Sequence, residues 1–434
     1  MKVKVIGAGL AGCEAAYTLA KRGVKVELYD IKPRSFTPAH SDKNFGELVC
    51  SNSLKSNDIY GNACGLLKEE MRILGSVTMQ AAEKSKVPAG GALAVEREEF
   101  ARIITRQIKE NKNIEIICQE VIKVPDEWCI VATGPLTTDA LSENIQGICG
   151  GHLHFYDASA PIVSRESINF EKCFYGDRYG KGGDDYINCP LNKEEYEQFI
   201  AELVSAERVI LHDFEKSEIF EGCMPVEVLA SRGVESLRFA MLKPVGLTDG
   251  NGNKFYAVLQ LRKENAAGTA YNLVGFQTNL KWGEQKRVFS MIPALRQAEF
   301  LRYGVMHRNT FINSPTCLNA DFSLKTNGKV FFAGQITGVE GYVESAASGI
   351  LAALNLYEKL NGRTPEILDD TCVLGALSAH IAGANENFQP MNANFGILKP
   401  ADVRIRDKKE RYRHLAERAL KTILEYKEKN KDLF

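Results

Sequence analysis

Two groups of residues in this 434-residue chain have types and spacing that can do chemistry: a glycine turn near the start, and a set of thiols and cations further on. Gly7-Ala8-Gly9-Leu10-Ala11-Gly12 follows an apolar run at residues 3–6 and opens a second apolar segment of small residues. That is the context a dinucleotide-binding turn requires. Gly7 permits the tight turn, Gly9 lets the backbone approach a pyrophosphate, and Gly12 lets a helix pack closely on a sheet. The helix N-terminus then offers unpaired amides to the anion. Asp30 ends the next apolar run, eighteen residues past Gly12, placed to accept from a ribose hydroxyl. The plain alternative is a glycine-rich strand–helix turn with no ligand.

Eleven cysteines are spread along the chain, and most cysteines in such proteins are small buried apolar residues. Cys13, Cys118 and Cys129 read that way. Two others sit in irregular backbone: Cys50 in Glu47-Leu48-Val49-Cys50-Ser51-Asn52-Ser53, and Cys223 in Phe220-Glu221-Gly222-Cys223-Met224-Pro225. A thiolate at either position needs nearby Lys, Arg, backbone dipoles or a bound cofactor to lower its pKa. Met306-His307-Arg308-Asn309-Thr310 ends a stretch that also holds Lys281, Lys286, Arg287, Arg296 and Arg302, against Glu284 and Glu299. His307, Arg308, Asn309 and Arg287 are therefore candidates for an anionic ligand or phosphate; the alternative is a solvated, ion-paired surface.

These residues need elements to hold them. The apolar run at 3–6, the helical spacing of Leu10, Ala11, Ala15, Ala16, Leu19 and Ala20, the stop at Gly23 and the run at 24–28 predict a βαβ unit. Residues 33–65 predict a long ordered loop, rich in Pro, Ser, Asn and Gly. Helices are predicted at 66–84 and 96–110, and strands at 114–121 and 128–132. From 151 to 325 short strands (257–261, 271–276), a helix near 193–206 and Gly/Pro turns predict an inserted α+β domain. Residues 329–360 return to the first pattern, with a strand at 329–333, the glycine-bearing Gly334-Gln335 and a small-residue helix at 345–360. That late strand belongs to the sheet begun at residue 3, and its glycine end favours FAD over NAD for the first turn. The expected architecture is an α/β, Rossmann-like FAD-binding domain of glutathione-reductase type. It is carried by 1–150 and 326–400, with the inserted domain at 151–325 and a C-terminal amphipathic basic helix at 401–434. In that tail, Tyr412, Leu415, Ala416, Ala419, Leu420, Ile423 and Leu424 recur at helical spacing, and 11 basic residues stand against 7 acidic ones.

Composition narrows the classes. The chain is 44% hydrophobic and 25% charged, which excludes disorder and a small disulfide scaffold. Its 54 Lys+Arg against 55 Asp+Glu give a formal net charge of -1, so a nucleic acid would have to be held by a local patch. There is no C-x-x-C pair and no zinc-like His/Cys spacing, so no metal is expected. The N-terminus lacks a signal segment and no run approaches bilayer length, which predicts a cytoplasmic protein with no membrane partner.

Longer motifs carry a resemblance. Gly7 to Gly12, Thr37-Pro38-Ala39-His40, residues 47–54, Gly90-Gly91-Ala92-Leu93-Ala94-Val95, 220–227, 306–309, 332–345 and Phe388-Gln389-Pro390-Met391-Asn392-Ala393-Asn394-Phe395-Gly396 together resemble the bacterial folate- and FAD-dependent tRNA (uracil-5-)-methyltransferases. Asp30-Ile31-Lys32-Pro33 stands where that family usually has Glu-Met-Arg-Pro, Ala294 where it often has glycine, and Gln335 where many flavoproteins have Asp. The resemblance implies methylation of C5 of uridine 54 in the T-loop of tRNA. Carbon would come from 5,10-methylenetetrahydrofolate and electrons from FADH2 regenerated by NAD(P)H, with no obligate protein partner. It assigns Cys223 as the more favoured nucleophile on uracil C6 and Cys50 as a guard, relay or base beside the flavin, two roles that can be exchanged. His307, Arg308 and Asn309 would hold folate or RNA, and Glu344 would face the pterin or flavin edge. Competing readings are a wobble-uridine-modifying FAD enzyme, the same methylation on an rRNA uridine, a generic FAD oxidoreductase, and a non-catalytic flavin-binding RNA chaperone.

Overall fold

The computed structural model describes residues 2–37, 39–180, 183–209, 224–384 and 388–434, with backbone only for 152–157, 307 and 308. Five strands form a parallel sheet in the order Val330–Phe332, Cys129–Val131, Lys2–Ile6, Lys25–Asp30, Ile114–Cys118. Lys2–Ile6 pairs in register with Lys25–Asp30 on one side and Cys129–Val131 on the other. The strand order therefore reverses beside Lys2–Ile6, and a doubly wound sheet opens its binding crevice at such a reversal. Val330–Phe332 pairs with Cys129–Val131, so the chain does return to this sheet after some two hundred residues. The helix Leu10–Lys21 packs on the helix Tyr342–Leu360, where Gly349 brings the backbones together: a Cβ there would lie 2.2 Å from the Ala11 carbonyl oxygen.

A second, six-stranded antiparallel sheet lies within residues 162–302, in the order Phe174–Tyr175, Tyr186–Leu191, Ala257–Lys263, Ala270–Leu273, Ile162–Ser164, Phe300–Arg302. It has its own apolar core with the helices Lys193–Ser205, Val226–Ser231 and Trp282–Phe289. The antiparallel pair His152–Ala158 and Met306–Ile312 carries the chain out of the parallel-sheet region and back.

Several expectations are corrected. The loop at 33–65 holds a strand, Ser53–Ser56, and the start of the helix Ala63–Leu74. Its strand pairs with Ala92–Val95, which also pairs with Lys86–Val87, so two motifs that looked separate in sequence form one small sheet. The single helix expected at 66–84 is two: Gly75, at φ +84°, ends Ala63–Leu74, and Ser76 caps Val77–Lys84 through its side chain. The late helix begins at Tyr342 rather than 345. In the tail helix Lys408–Lys429, Leu415, Ala416, Ala419 and Ile423 are buried against the first core, and the helix docks on Ala63–Leu74. Leu424, however, is 54% exposed, and Tyr426 completes the buried face instead. Among the described residues no helix is long and apolar enough to cross a membrane.

Candidate active site

The glycine turn emerges where the parallel sheet reverses. Gly7 sits at φ +98°, and a Cβ on it would lie 2.5 Å from the Ala132 carbonyl oxygen on the neighbouring strand's exit. A Cβ on Gly12 would lie 1.7 Å from the Gly7 oxygen, so only glycine lets the helix start this close to the turn. Gly9 caps the helix without a side-chain hydrogen bond and has nothing within 4 Å of its missing Cβ. The first-turn amides thus face bare, accessible space, the arrangement that binds a pyrophosphate.

That turn lines a cleft of about 390 Å³ together with Ala8, Leu10, Ala11, Asp30, Lys32, Cys50, Lys55, Asn309, Gly334, Gln335, Tyr342 and Asn392, among others. Asp30 accepts from the Ala8 amide at 2.7 Å and the Lys32 amide at 2.8 Å, so it braces the turn with one lone pair of each oxygen. Carboxylate oxygens keep further acceptor sites, and one is available to a ribose hydroxyl. Lys32 preserves a cation at its position, but its ammonium is tied to the Asp42 and Asn44 carbonyls and lies 3.6 Å from Glu47. Gly334, at φ +87°, faces the first helix: its Cβ would be 3.1 Å from that of Ala11. The next residue, Gln335, donates to Glu340 at 2.6 Å. Two stretches of bare backbone thus converge on the cleft, and they fit an extended dinucleotide.

Cys50 lies on this cleft, in a segment held from all sides. Its amide donates to the Tyr342 hydroxyl at 2.7 Å, and its thiol to the Ala158 carbonyl at 3.4 Å. Arg97 donates to the Leu48 and Val49 carbonyls at 2.8 and 3.3 Å while pairing with Glu264, and Arg302 donates to Val49 at 2.9 Å. Arg262 holds Ser51 and Asn52 through their side chains, each at 2.9 Å. The loop is thus clamped between the parallel-sheet core and the antiparallel sheet. Burial, then the nearby Cys50 thiol, push the Tyr342 phenol well above its ordinary value, so it stays a neutral hydroxyl.

Asn309 is almost fully buried, and neither atom of its carboxamide has a hydrogen-bond partner, although it faces the cleft. Such a group loses about 1–3 kcal/mol of hydrogen bonding unless a ligand or a water in the cleft supplies it. Glu344 is fully buried behind the rim; one oxygen accepts from the Ala393 amide at 3.0 Å and meets Lys55 at 3.4 Å, and the other has no hydrogen bond. The segment 388–394 closes over this corner. Met391 bridges Val339, Asn392 accepts from Lys55 at 3.1 Å, and Phe388 fills the space beside Gly338, where a Cβ would collide at 2.4 Å.

A family model described as glucose inhibited division protein A matches residues 2–364. A methylenetetrahydrofolate–tRNA-(uracil-5-)-methyltransferase TrmFO of Acetivibrio thermocellus is 56% identical over 428 residues, 98% of each chain. The enzyme of that name from Halalkalibacterium halodurans is 53% identical over 430 residues, 98% of this chain and 99% of its own. The chain belongs to the TrmFO family. A solved structure of Aquifex aeolicus GidA shares the fold at a TM-score of 0.73 and 15% identity, spanning all of this chain and 74% of that one.

For a TrmFO-family chain, the sequence-selected residues divide. The glycine turn, Asp30, Cys50, Asn309, Gly334 and Gln335 come together on one cleft. Cys223 lies outside the described residues, as do the side chains of His307 and Arg308, whose backbone pairs with Asp157 and Tyr156. Arg287 is apart from the cleft lining, paired with Glu202 and, at 2.8 Å, with Glu284; Lys281 pairs with Glu207 at 2.6 Å. The basic stretch is therefore more neutralised than its linear sequence suggests, because Glu202 and Glu207 reach it from elsewhere in the chain. Arg97, Glu264, Arg262 and Tyr342 were not anticipated. The sequence signals were the 47–54 motif they grip and the 332–345 motif that contains Tyr342. Among the described residues no group of three or more His, Cys, Asp or Glu is placed to hold a metal.

Proposed function

We propose that this chain methylates C5 of uridine 54 in the T-loop of tRNA, taking carbon from 5,10-methylenetetrahydrofolate and electrons from FADH2 regenerated by NAD(P)H. What supports the reading is that Cys50, in a clamped loop, lines the same cleft as the dinucleotide-type glycine turn, in a chain more than half identical to enzymes named for this reaction. FAD, when bound, supplies the two electrons that separate a methylene-level carbon from a methyl group.

The chain's own groups do the rest. The first-turn amides after Gly9 hold the pyrophosphate, and Asp30 takes the ribose. Uracil C5 is a weak nucleophile until a thiolate adds at C6 and makes the ring enolate-like. Cys223 is the nucleophile we favour. Once C5 has taken the new carbon, its proton must leave to a base before the C6–S bond breaks; Cys50 is that base or a relay beside it. The two roles are exchangeable between the cysteines. His307, Arg308 and Asn309 hold folate or the target base, and Glu344 sets the cleft corner with Lys55. The uridine must leave its stack to reach this cleft, and phosphate contacts from the segment 281–308 and the C-terminal helix should make binding strongly salt-dependent. The work is cytoplasmic because its RNA substrate is.

The test incubates the protein with unmodified tRNA transcript and, in a parallel arm, unmodified rRNA, each with carbon-labelled methylenetetrahydrofolate, FAD and NADPH, then maps labelled 5-methyluridine. Label at position 54 supports the proposal. Label only in rRNA moves the target, and no label from protein with reducible flavin overturns it.

A further inference from the structure

Three aromatic rings form a ladder that starts in the second core and ends in solvent. Phe300 packs against that core. Tyr303 stacks on Phe300 with centroids 5.4 Å apart and planes 7° from parallel. Trp282 stacks on Tyr303 at 5.7 Å and 12°, and Trp282 itself is 62% exposed. The ladder is thus anchored at one end and offers an indole face at the other.

Two further observations say what that face suits. Between Phe300 and Tyr303 in sequence, Arg302 donates to the Val49 carbonyl, the residue before Cys50. The ladder and the Cys50 loop therefore share one brace. Lys286 lies four residues beyond Trp282 on the same helix face. It is exposed and, among the described residues, holds no ion pair, while its neighbours Lys281 and Arg287 are paired. An open ring face beside an uncommitted ammonium matches an unpaired nucleobase and its phosphate, because every base has a face to stack and every link carries a charge. A protein partner is disfavoured: one indole face and Leu301 fall far short of the apolar area a stable protein interface buries.

We propose that the Trp282–Tyr303–Phe300 stack receives an unpaired base of the RNA substrate, near the target uridine, with Lys286 on the adjoining phosphate. The proposal rests on the tRNA reading above. Stacking of one base on an aromatic ring corresponds to roughly a 5- to 150-fold effect on affinity when the ring is removed.

The experiment measures methyl transfer to tRNA transcript by the full-length, flavin-loaded parent and by Trp282→Ala, Trp282→Phe and Lys286→Ala. Trp282→Ala should raise KM for tRNA about 5- to 150-fold. Its kcat, flavin content and KM for methylenetetrahydrofolate should stay at parental values. Trp282→Phe should retain most of the affinity, and Lys286→Ala should make the salt dependence shallower by about one phosphate contact. Only Trp128 and Trp282 fluoresce as indoles, so tRNA should quench the parent and quench Trp282→Phe much less. A tRNA KM for Trp282→Ala within twofold of the parent overturns the proposal, as does an equal rise in the folate KM. If the parent methylates no transcript, the functional reading fails separately, and the quenching titration still decides whether RNA stacks on Trp282.

Discussion

Replacing Glu264 with alanine tests whether one buried ion pair holds the Cys50 loop in place. Arg97 gives Nε and Nη2 to the Glu264 carboxylate at 2.8 and 3.3 Å, and Nη1 to the Leu48 and Val49 carbonyls. Both side chains are largely hidden, Glu264 at 7% and Arg97 at 14% exposure. Burial pulls the Arg97 pKa down, but the Glu264 carboxylate outweighs it and holds the guanidinium above its ordinary value. Removing the carboxylate leaves a buried cation without its partner, which costs about 3–5 kcal/mol. Two charge-assisted hydrogen bonds at roughly 1.5–3 kcal/mol each arrive at the same range. Arg97 can relieve that cost only by swinging toward water, which takes Nη1 away from Leu48 and Val49 and lets Cys50 shift. A displacement of the order of 1 Å at a reacting group can cost about 100-fold in rate. Denaturant titration should therefore show about 3–5 kcal/mol less stability, and kcat for methyl transfer should fall at least about tenfold. Flavin content should hold, because the glycine turn is built by other residues. Glu264→Gln, which keeps an acceptor without the charge, should fall between. Parental stability, or full kcat with the expected loss of stability, would refute the idea that this pair positions the loop.

Three further perturbations probe separate parts of the account. Tyr342→Phe removes the acceptor of the Cys50 and Ser51 amides, at about 1–3 kcal/mol for each unsatisfied donor, and should lower kcat at unchanged flavin content; steady-state kinetics beside a flavin absorbance spectrum check it. Gly349→Ala pushes a methyl to 2.2 Å from the Ala11 carbonyl, so the two helices must part by roughly 1 Å at a cost of about 1–3 kcal/mol. The purified variant should carry less flavin per chain than the parent. Glu70 is fully buried, and burial, opposed by the Val373 and Leu374 amides, pushes its carboxyl up to about 7. The folded state therefore holds this proton more tightly than the unfolded chain. Its contribution is fully present below about pH 4.5 and is lost as pH rises through about 7, roughly 3 kcal/mol in all. Glu70→Gln should flatten that part of the pH dependence in denaturant titrations; a slope unchanged from the parent's rules the group out.

The readable parts of this fold were local. A glycine turn between a strand and a helix is written in adjacent residues, and the return of the chain at Val330–Phe332 showed as a second run of the same texture. What could not be read depends on distant partners. Ser53–Ser56 looked like loop because the strand that defines it, Ala92–Val95, lies some forty residues on. Glu264 meets Arg97 across 167 residues, and nothing in either neighbourhood marks them as a pair. The same physics misjudged the basic stretch at 281–302, since Glu202 and Glu207 reach it from outside its own segment. Of the cleft lining, Cys50 and Asn309 stood out in the sequence by type and motif, but the clamp of Arg97, Arg262, Arg302 and Tyr342 that fixes the Cys50 loop did not.

The claim at the centre is that Cys50 does chemistry on uracil in a cleft whose other wall binds the dinucleotide. Its most direct test follows tritium release from tRNA labelled at uridine C5, with methylenetetrahydrofolate and NADPH, comparing the parent with Cys50→Ala. The account predicts that Cys50→Ala keeps its flavin and still oxidises NADPH while tritium release and 5-methyluridine fall by orders of magnitude. Tritium release at the parental rate from a flavin-loaded Cys50→Ala protein would contradict it.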